Sequence, residues 1–400
     1  MSVRVAQRFA GVERSATVAL LETVQRLRRE GVEVLDLSGG EPDFATPSPV
    51  VTAAVTALRD GETHYTPSRG VPELLEAVAG KLAAENGVAV DPERGVIVTP
   101  SAKQALFTAL MTLLDPGDEV IVPTPAWVSY PAMAGLIGAR AVAAELRADD
   151  GFRMSRRMLE ERVTGRTRVL LVNTPANPTG HVLDREEAEE IVAFAVEHDL
   201  ALVVDEIYEK IVYDGGAHLS LASLPGAAER TLTVNGFSKA YAMTGWRLGY
   251  LAGPEPLIAQ ALKVQEHTVS CATSFVQRAG VAALTRTADD VAAMLKEYAV
   301  RREMTVAALN ALPGVTCALP EGAFYAFADV RGTGLTSAAF AQRLLDEAAV
   351  TVAPGSAFGP GGEGYVRLSF AASREVLEAA AERLTRLAGG WAADAGARGN

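Results

Sequence analysis

The chain is poor in cysteine, histidine and lysine, and each scarcity narrows what it can be. Its 400 residues hold two cysteines, Cys271 and Cys317. Two isolated thiols build neither a disulfide framework nor a zinc site, so no metal centre is expected and a reducing, cytoplasmic compartment is the natural expectation. No run of ~18 apolar residues occurs, and no N-terminal stretch joins a positive segment to a long apolar one. Neither membrane spanning nor export is therefore expected. The formal net charge of −12 argues against broad nucleic-acid binding. The arginine-bearing stretch 153–168 reads as solvated surface. No internal repeat is found, and the hydrophobic fraction of 49% is ample for two packed domains.

Because there are only six lysines, their placement carries information. Lys81, Lys210, Lys263 and Lys296 fall on polar faces of predicted helices or in loops. Lys239 follows TLTVNG, a strand-like run of β-formers closed by Asn-Gly, and sits in the apolar, glycine-rich stretch GFSKAYAMTGWRLGY. A lysine at the end of a buried strand has depressed basicity and suits Schiff-base chemistry. Taken alone, the position also suits a lysine that snorkels out of a strand end.

Two further strands point the same way. ALVVDEIYE (201–209) has four apolar residues before Asp205, Glu206 and Tyr208, the pattern of a strand buried on both faces. VLLVNTPANPTG (169–180) is another apolar strand, ending in a turn that carries Asn177. Ligands of doubly wound sheets bind at the carboxyl ends of strands, where an amide, an acid with a tyrosine, and a lysine here converge. A third signal is the junction of strand GVIVTP (95–100) with a helical period starting at Ala102. Ser101, Ala102 and Lys103 then form a helix N-terminus, able to receive an anion or simply capped by Ser101.

Nine motifs occur in an order and spacing that resembles the class I (aspartate aminotransferase family) pyridoxal-phosphate-dependent aminotransferases of fold type I. They are GGEPDF (39–44), YTPSRGVPELLEAVA (65–79), SAKQALF (101–107), DPGDEVIVPTPAWVSYP (115–131), NTPANPTG (173–180), DEIYE (205–209), NGFSKAYAMTGWRLGY (235–250), EGAFYAF (321–327) and VRLSFA (366–371). The resemblance implies pyridoxal 5'-phosphate as cofactor. It gives Lys239 the covalent link and the proton shuttle, and sets Asp205 against the pyridine nitrogen. Tyr208 and Asn177 would bond the phenolic oxygen. Ser101, Ala102, Lys103, Ser238 and Arg247 would hold the phosphate, with Tyr65 reaching it from the partner subunit. Trp127 would stack on the ring or, read by itself, be a core aromatic. Arg367, facing inward from an alternating strand, would grip the substrate α-carboxylate beside the Gly40 backbone.

The chain departs from the common pattern at Ser101-Ala102, where many relatives have Gly-Gly. It shares with the subfamily that handles acidic substrates the SATVA segment and Lys103. By resemblance, Ser15, Thr17 and Lys103 contact a side-chain carboxylate, although Lys103 could instead serve the cofactor phosphate.

The implied fold is α/β. A large domain (47–296) carries a mostly parallel seven-stranded sheet between helices, and 15–46 with 297–400 form a smaller α+β domain behind an N-terminal arm (1–14). Helical sequence runs from about Pro254 to Leu312, near Ser337 to Ala348 and near Ser373 to Ala388, with a frayed Gly/Ala-rich tail at 389–400. The leading expectation is a homodimeric aminotransferase with shared active sites. It would move an amino group between an α-amino acid, aspartate or another acidic one, and a 2-oxo acid such as 2-oxoglutarate. Alternatives are an aromatic or broad-range aminotransferase, a pyridoxal-phosphate lyase or cyclase of specialised metabolism, and a non-enzymatic sensor domain.

Overall fold

The structure, a computed structural model, describes residues 3–9, 11–14 and 16–398. The strands are β1 (Leu35–Asp36), β2 (Val96–Thr99), β3 (Glu119–Thr124), β4 (Arg140–Glu145), β5 (Thr167–Asn173), β6 (Ala201–Asp205), β7 (Thr231–Gly236), β8 (Gly249–Ala252), β9 (Tyr325–Asp329), β10 (Val350–Thr351), β11 (Ala353–Pro354) and β12 (Tyr365–Ser369). The helices are α1 (Ala16–Arg29), α2 (Ser48–Arg59), α3 (Pro72–Lys81), α4 (Ala102–Leu113), α5 (Ser129–Ile137), α6 (Arg156–Glu160), α7 (Arg185–Glu197), α8 (Glu255–Thr268), α9 (Ser274–Arg286), α10 (Ala288–Asn310), α11 (Ser337–Ala348) and α12 (Arg374–Arg398).

Seven strands form one sheet in the order β2-β8-β7-β6-β5-β3-β4. All run parallel except β8, which is antiparallel to both neighbours, β2 and β7. Period-two alternation splits each central strand between two cores. Val203 of β6 faces the side of α4 and α5, while Leu202 and Val204 face α6 and α7. Both faces are covered, which is why these strands read as continuous apolar runs. A three-stranded antiparallel sheet, β11-β12-β9, and the short parallel pair β1-β10 belong to a smaller domain.

Three expectations need correction. The helical stretch after Pro254 is three helices, α8 to α10, interrupted at 269–273 and at Thr287. The tail is helical to Arg398, because Trp391 is buried against the edge of Phe340 at 5.9 Å, takes Arg343 over its ring and donates to Glu347 at 2.9 Å. Lys81 lies on no polar face: its side chain is 6% exposed and its ammonium bonds Glu209 and, at 2.7 Å, Asn86. Lys263 and Lys296 are exposed, as expected.

Candidate active site

The carboxyl ends of β5, β6 and β7 lie side by side, with Asn173 opposite Asp205 and Asp205 opposite Val234. Above them is a cavity of about 770 Å³. It is lined by Gly40, Ser101, Ala102, Lys103, Trp127, Asn177, Asp205, Tyr208, Ser238, Lys239, Arg247 and Arg367, so twelve of the residues expected from sequence meet in one place. Tyr65 is not among them; it is 90% exposed on this chain. Ser15 lies outside the described residues. The backbone of Thr17 is in α1, whose Val18 borders the cavity.

At one end the cavity is built for an anion. Ser101 is the N-cap of α4, its hydroxyl accepting from the Gln104 N–H at 3.1 Å, so the first-turn amides before Gln104 stay free for a ligand. Lys103 extends over the Trp127 ring at 4.8 Å, and Arg247 donates to the Thr244 carbonyl at 2.7 Å. Neither pairs with a carboxylate among the described residues. Gly249 lets the chain pass close beneath: a Cβ there would sit 2.3 Å from the Ala102 nitrogen.

At the other end Arg367 is 2% exposed. Its guanidinium donates to Asn177 Oδ1 at 2.9 Å and to the Ser38 carbonyl at 2.7 Å, while its Nε has no partner among the described residues. The rings of Tyr325 and Phe358 flank it at 4.3 and 4.8 Å. A buried arginine with unused donors and no ion-paired acid among the described residues has the chemistry to receive a carboxylate. Gly40 belongs to the same wall, since a Cβ at that position would lie 2.6 Å from the Tyr325 hydroxyl.

Between the two ends stand the reactive groups. Lys239 is open to the cavity on one side but otherwise surrounded by protein, and its Nζ donates to the Gly40 carbonyl. Burial, helped by Arg367 and Arg247, lowers its pKa to about 8 against the opposing pull of Glu41 and Asp205. Asp205 is 3% exposed, and burial raises its pKa to about 6, although hydrogen bonds from Tyr130 and the Ile207 amide favour its ionised form. The Tyr208 hydroxyl lies 2.9 Å from that of Tyr325, and burial raises both phenols.

Sequence reasoning missed Tyr130, Tyr325, Asn173 and Glu41, all of which line the cavity. Tyr130 donates to Asp205 Oδ2 at 2.9 Å, and Asn173 Nδ2 donates to the Asp205 carbonyl at 2.9 Å. Trp127 precedes α5 and does not lie on it, so no helical spacing marks Tyr130 in the sequence.

Behind the turn that carries Asp205 and Tyr208 is a second polar group. Glu206 and Glu209 alternate with them and point away from the cavity. Glu209 bonds Lys81 and, at 2.8 Å, Asn86; Glu206 accepts from Ser220 at 2.7 Å. His218 Nε2 lies 3.2 Å from Glu206, an ion-pair distance without hydrogen-bond alignment. Burial opposes charge on His218, yet Glu206 raises its pKa overall.

Comparison with known proteins agrees with this geometry. The profile of the family described as aminotransferase class I and II matches residues 32–384. The chain is similar to an aspartate aminotransferase of Musicola paradisiaca, 48% identical over 381 residues that cover 95% of each chain. It is also similar to aromatic-amino-acid aminotransferase 2 of Thermococcus litoralis, at 44% over 90% of this chain and 92% of the relative. The solved aspartate aminotransferase from Thermus thermophilus with maleate superposes with a TM-score of 0.92 at 42% identity, covering 96% and 100% of the two chains. The chain belongs to the class I and II aminotransferase family and is itself an aminotransferase.

Proposed function

We propose that the cavity holds pyridoxal 5'-phosphate and exchanges an amino group between aspartate or glutamate and a 2-oxo acid. The observation that carries this is the polarity of the site. Two cations and a helix N-terminus stand at one end and a buried arginine at the other, the cations without a counter-anion and the arginine Nε without a partner among the described residues, and a lysine of lowered basicity lies between them. This donor set fits a phosphate-bearing cofactor and a substrate carboxylate.

When bound, the cofactor supplies an aldehyde and an electron-withdrawing ring that stabilises negative charge at the substrate Cα. Ser238, Arg247, Lys103 and the amides at the start of α4 would hold its phosphate, Asp205 would face its ring nitrogen, and Trp127 would cover its ring. Arg367 binds the substrate α-carboxylate through the N–H groups not committed to Asn177 and Ser38, fixing which face of Cα meets Lys239. Because Lys239 Nζ has a pKa of about 8, a useful fraction is neutral near pH 7; it would carry the cofactor's covalent link and, once freed by the incoming substrate amine, would be placed to take the proton from Cα. Asn177 Oδ1 accepts from Arg367, which leaves its amide N–H groups to donate into the cavity. The Tyr208 hydroxyl is the second donor there.

The acidic side-chain preference is supported by Lys103 at the cavity wall and by relatives named aspartate aminotransferase. Aromatic substrates are the second reading, supported by the aromatic relative and by the apolar lining of Val18, Val34 and Val376. We also read the chain as domains 47–296 and 15–46 with 297–400 behind an arm at 1–14, and as a cytoplasmic homodimer in which Tyr65 completes the partner's phosphate site. The test is a single-turnover panel on cofactor-loaded protein without an acceptor, alongside cofactor binding to the apoprotein by equilibrium dialysis. One 2-oxo acid released per site from aspartate and glutamate supports the reading. Release of pyruvate and ammonia from β-substituted amino acids, with none from aspartate, would favour a lyase instead.

A further inference from the structure

Asp205 and Tyr130 are both nearly sealed from solvent, at 3% and 2% exposure. Each carboxylate oxygen of Asp205 has one donor: Oδ1 takes the Ile207 amide at 3.2 Å and Oδ2 takes the Tyr130 hydroxyl at 2.9 Å. The Tyr130 hydroxyl has no other partner among the described residues. A tyrosine buried for packing alone satisfies its hydroxyl with any nearby acceptor. This one bonds the acid at the carboxyl end of β6, which lines the cavity.

The phenol is held where it is by local structure. Its backbone N–H donates to the Trp127 carbonyl at 3.1 Å in the turn entering α5, and its ring meets that of Trp127 edge-on at 5.4 Å. One residue therefore links the wall that would cover the cofactor ring to the acid that would face its nitrogen. We propose that Tyr130 is a positioning residue for Asp205, fixing its carboxylate and favouring its ionised form. This rests on the pyridoxal phosphate reading for its catalytic consequence.

The electrostatics agree. Burial disfavours charge on Asp205 and Glu206 adds to that, whereas the Tyr130 hydroxyl, the Ile207 amide and Lys239 favour it. Tyr208 lies on the same turn, and His218 stands on the far side of Glu206. A hydroxyl aimed at one oxygen also restricts rotation of the carboxyl group about its bond to Cβ, so the acceptor stays in one orientation.

Tyr130→Phe keeps the ring and removes only the donor. An infrared difference titration of the apoprotein, with the Asp205 band assigned by its loss in Asp205→Asn, should show the Asp205 midpoint rising by about one to two pH units, the worth of a hydrogen bond to a charged group. With cofactor, the dissociation constant should rise about tenfold or more, and kcat should fall with KM for the amino donor unchanged. A midpoint that does not move in folded Tyr130→Phe would overturn the proposal. Should that variant not fold, 3-fluorotyrosine at position 130, which keeps the ring and makes the hydroxyl a stronger donor, decides: a lower Asp205 midpoint than in the wild type supports the coupling, and an unmoved or higher one overturns it. A shifted midpoint in protein that binds no cofactor would overturn the pyridoxal phosphate reading and leave the Tyr130–Asp205 coupling supported.

Discussion

Replacing Lys81 by methionine removes the cation from behind the catalytic turn while nearly conserving volume. Its side chain is 6% exposed and that of Glu209 is 8% exposed, so Glu209 is left buried with only Asn86 as a donor. Breaking a buried pair from one side costs about 3–5 kcal/mol. Unfolding entropy is about 2.1 cal/mol/K per residue, or about 0.8 kcal/mol/K if the whole chain melts as one unit, so the apoprotein melting temperature should fall by about 4–6 °C. The pH dependence follows from the sign of the Glu209 shift. In the wild type its pKa is lowered: burial opposes ionisation, but Lys81, His218 and Asn86 outweigh it. It therefore contributes stability above the ordinary glutamate range, lost as pH falls through the folded value. Without Lys81, burial dominates and the folded pKa rises above the unfolded one, so the deficit should grow from pH 5.5 to pH 8. Calorimetry of the apoprotein at fixed concentration reads both effects, and adding Glu209→Gln should restore most of the loss. A melting temperature within about 1 °C of wild type at pH 8, or a double variant as damaged as the single one, would refute the reasoning.

Lys239→Ala should abolish borohydride-fixed cofactor on the protein, whereas peptide mapping of the wild type should find the label on Lys239; a label on Lys103 would reassign the link. Lys103→Ala should cut kcat/KM for aspartate and glutamate by roughly 10- to 150-fold, the effect of losing a charge-assisted hydrogen bond, while aromatic substrates change little. Equal losses on both classes would give Lys103 to the cofactor phosphate. Mixing Tyr65→Ala with Lys239→Ala subunits should recover about a quarter of wild-type activity, since half the dimers are mixed and each has one intact site. No recovery after confirmed subunit exchange counts against a shared site.

The residues readable from sequence share one property: they sit where an apolar run stops. Asp205 ends, and Asn177 and Lys239 follow, strands whose interior residues are buried with the exception of Arg168, so a polar group appearing there had to face something. Ser101 and Lys103 were visible because a strand gave way to a helical period. Tyr130 and Tyr325 were not, since an aromatic inside a helix or strand looks the same whether it faces a core or a cavity, and only packing of α5 and β9 against the β6 turn decides. Lys81 was misread for a related reason. At the end of α3 it looks solvated, and what makes it buried is Glu209, 128 positions later. The helical tail depended likewise on one long-range anchor, Trp391, in a stretch whose composition alone suggested fraying.

The reversed direction of β8 constrains how this site tolerates insertion and deletion. Since β8 runs back along β7, the chain leaves Gly236 and re-enters at Gly249 on the same edge of the sheet, where the two residues pair directly. Ser238, Lys239 and Arg247 all ride on that single out-and-back excursion. A parallel β8 would have needed a crossover, and the amine and the guanidinium would then have come from separately adjustable segments. Most surface loops absorb a residue gained or lost with little consequence. Here one extra residue puts Lys239 out of phase with Arg247, and the loop cannot slide to compensate, because Gly249 is wedged beneath the Ala102 amide.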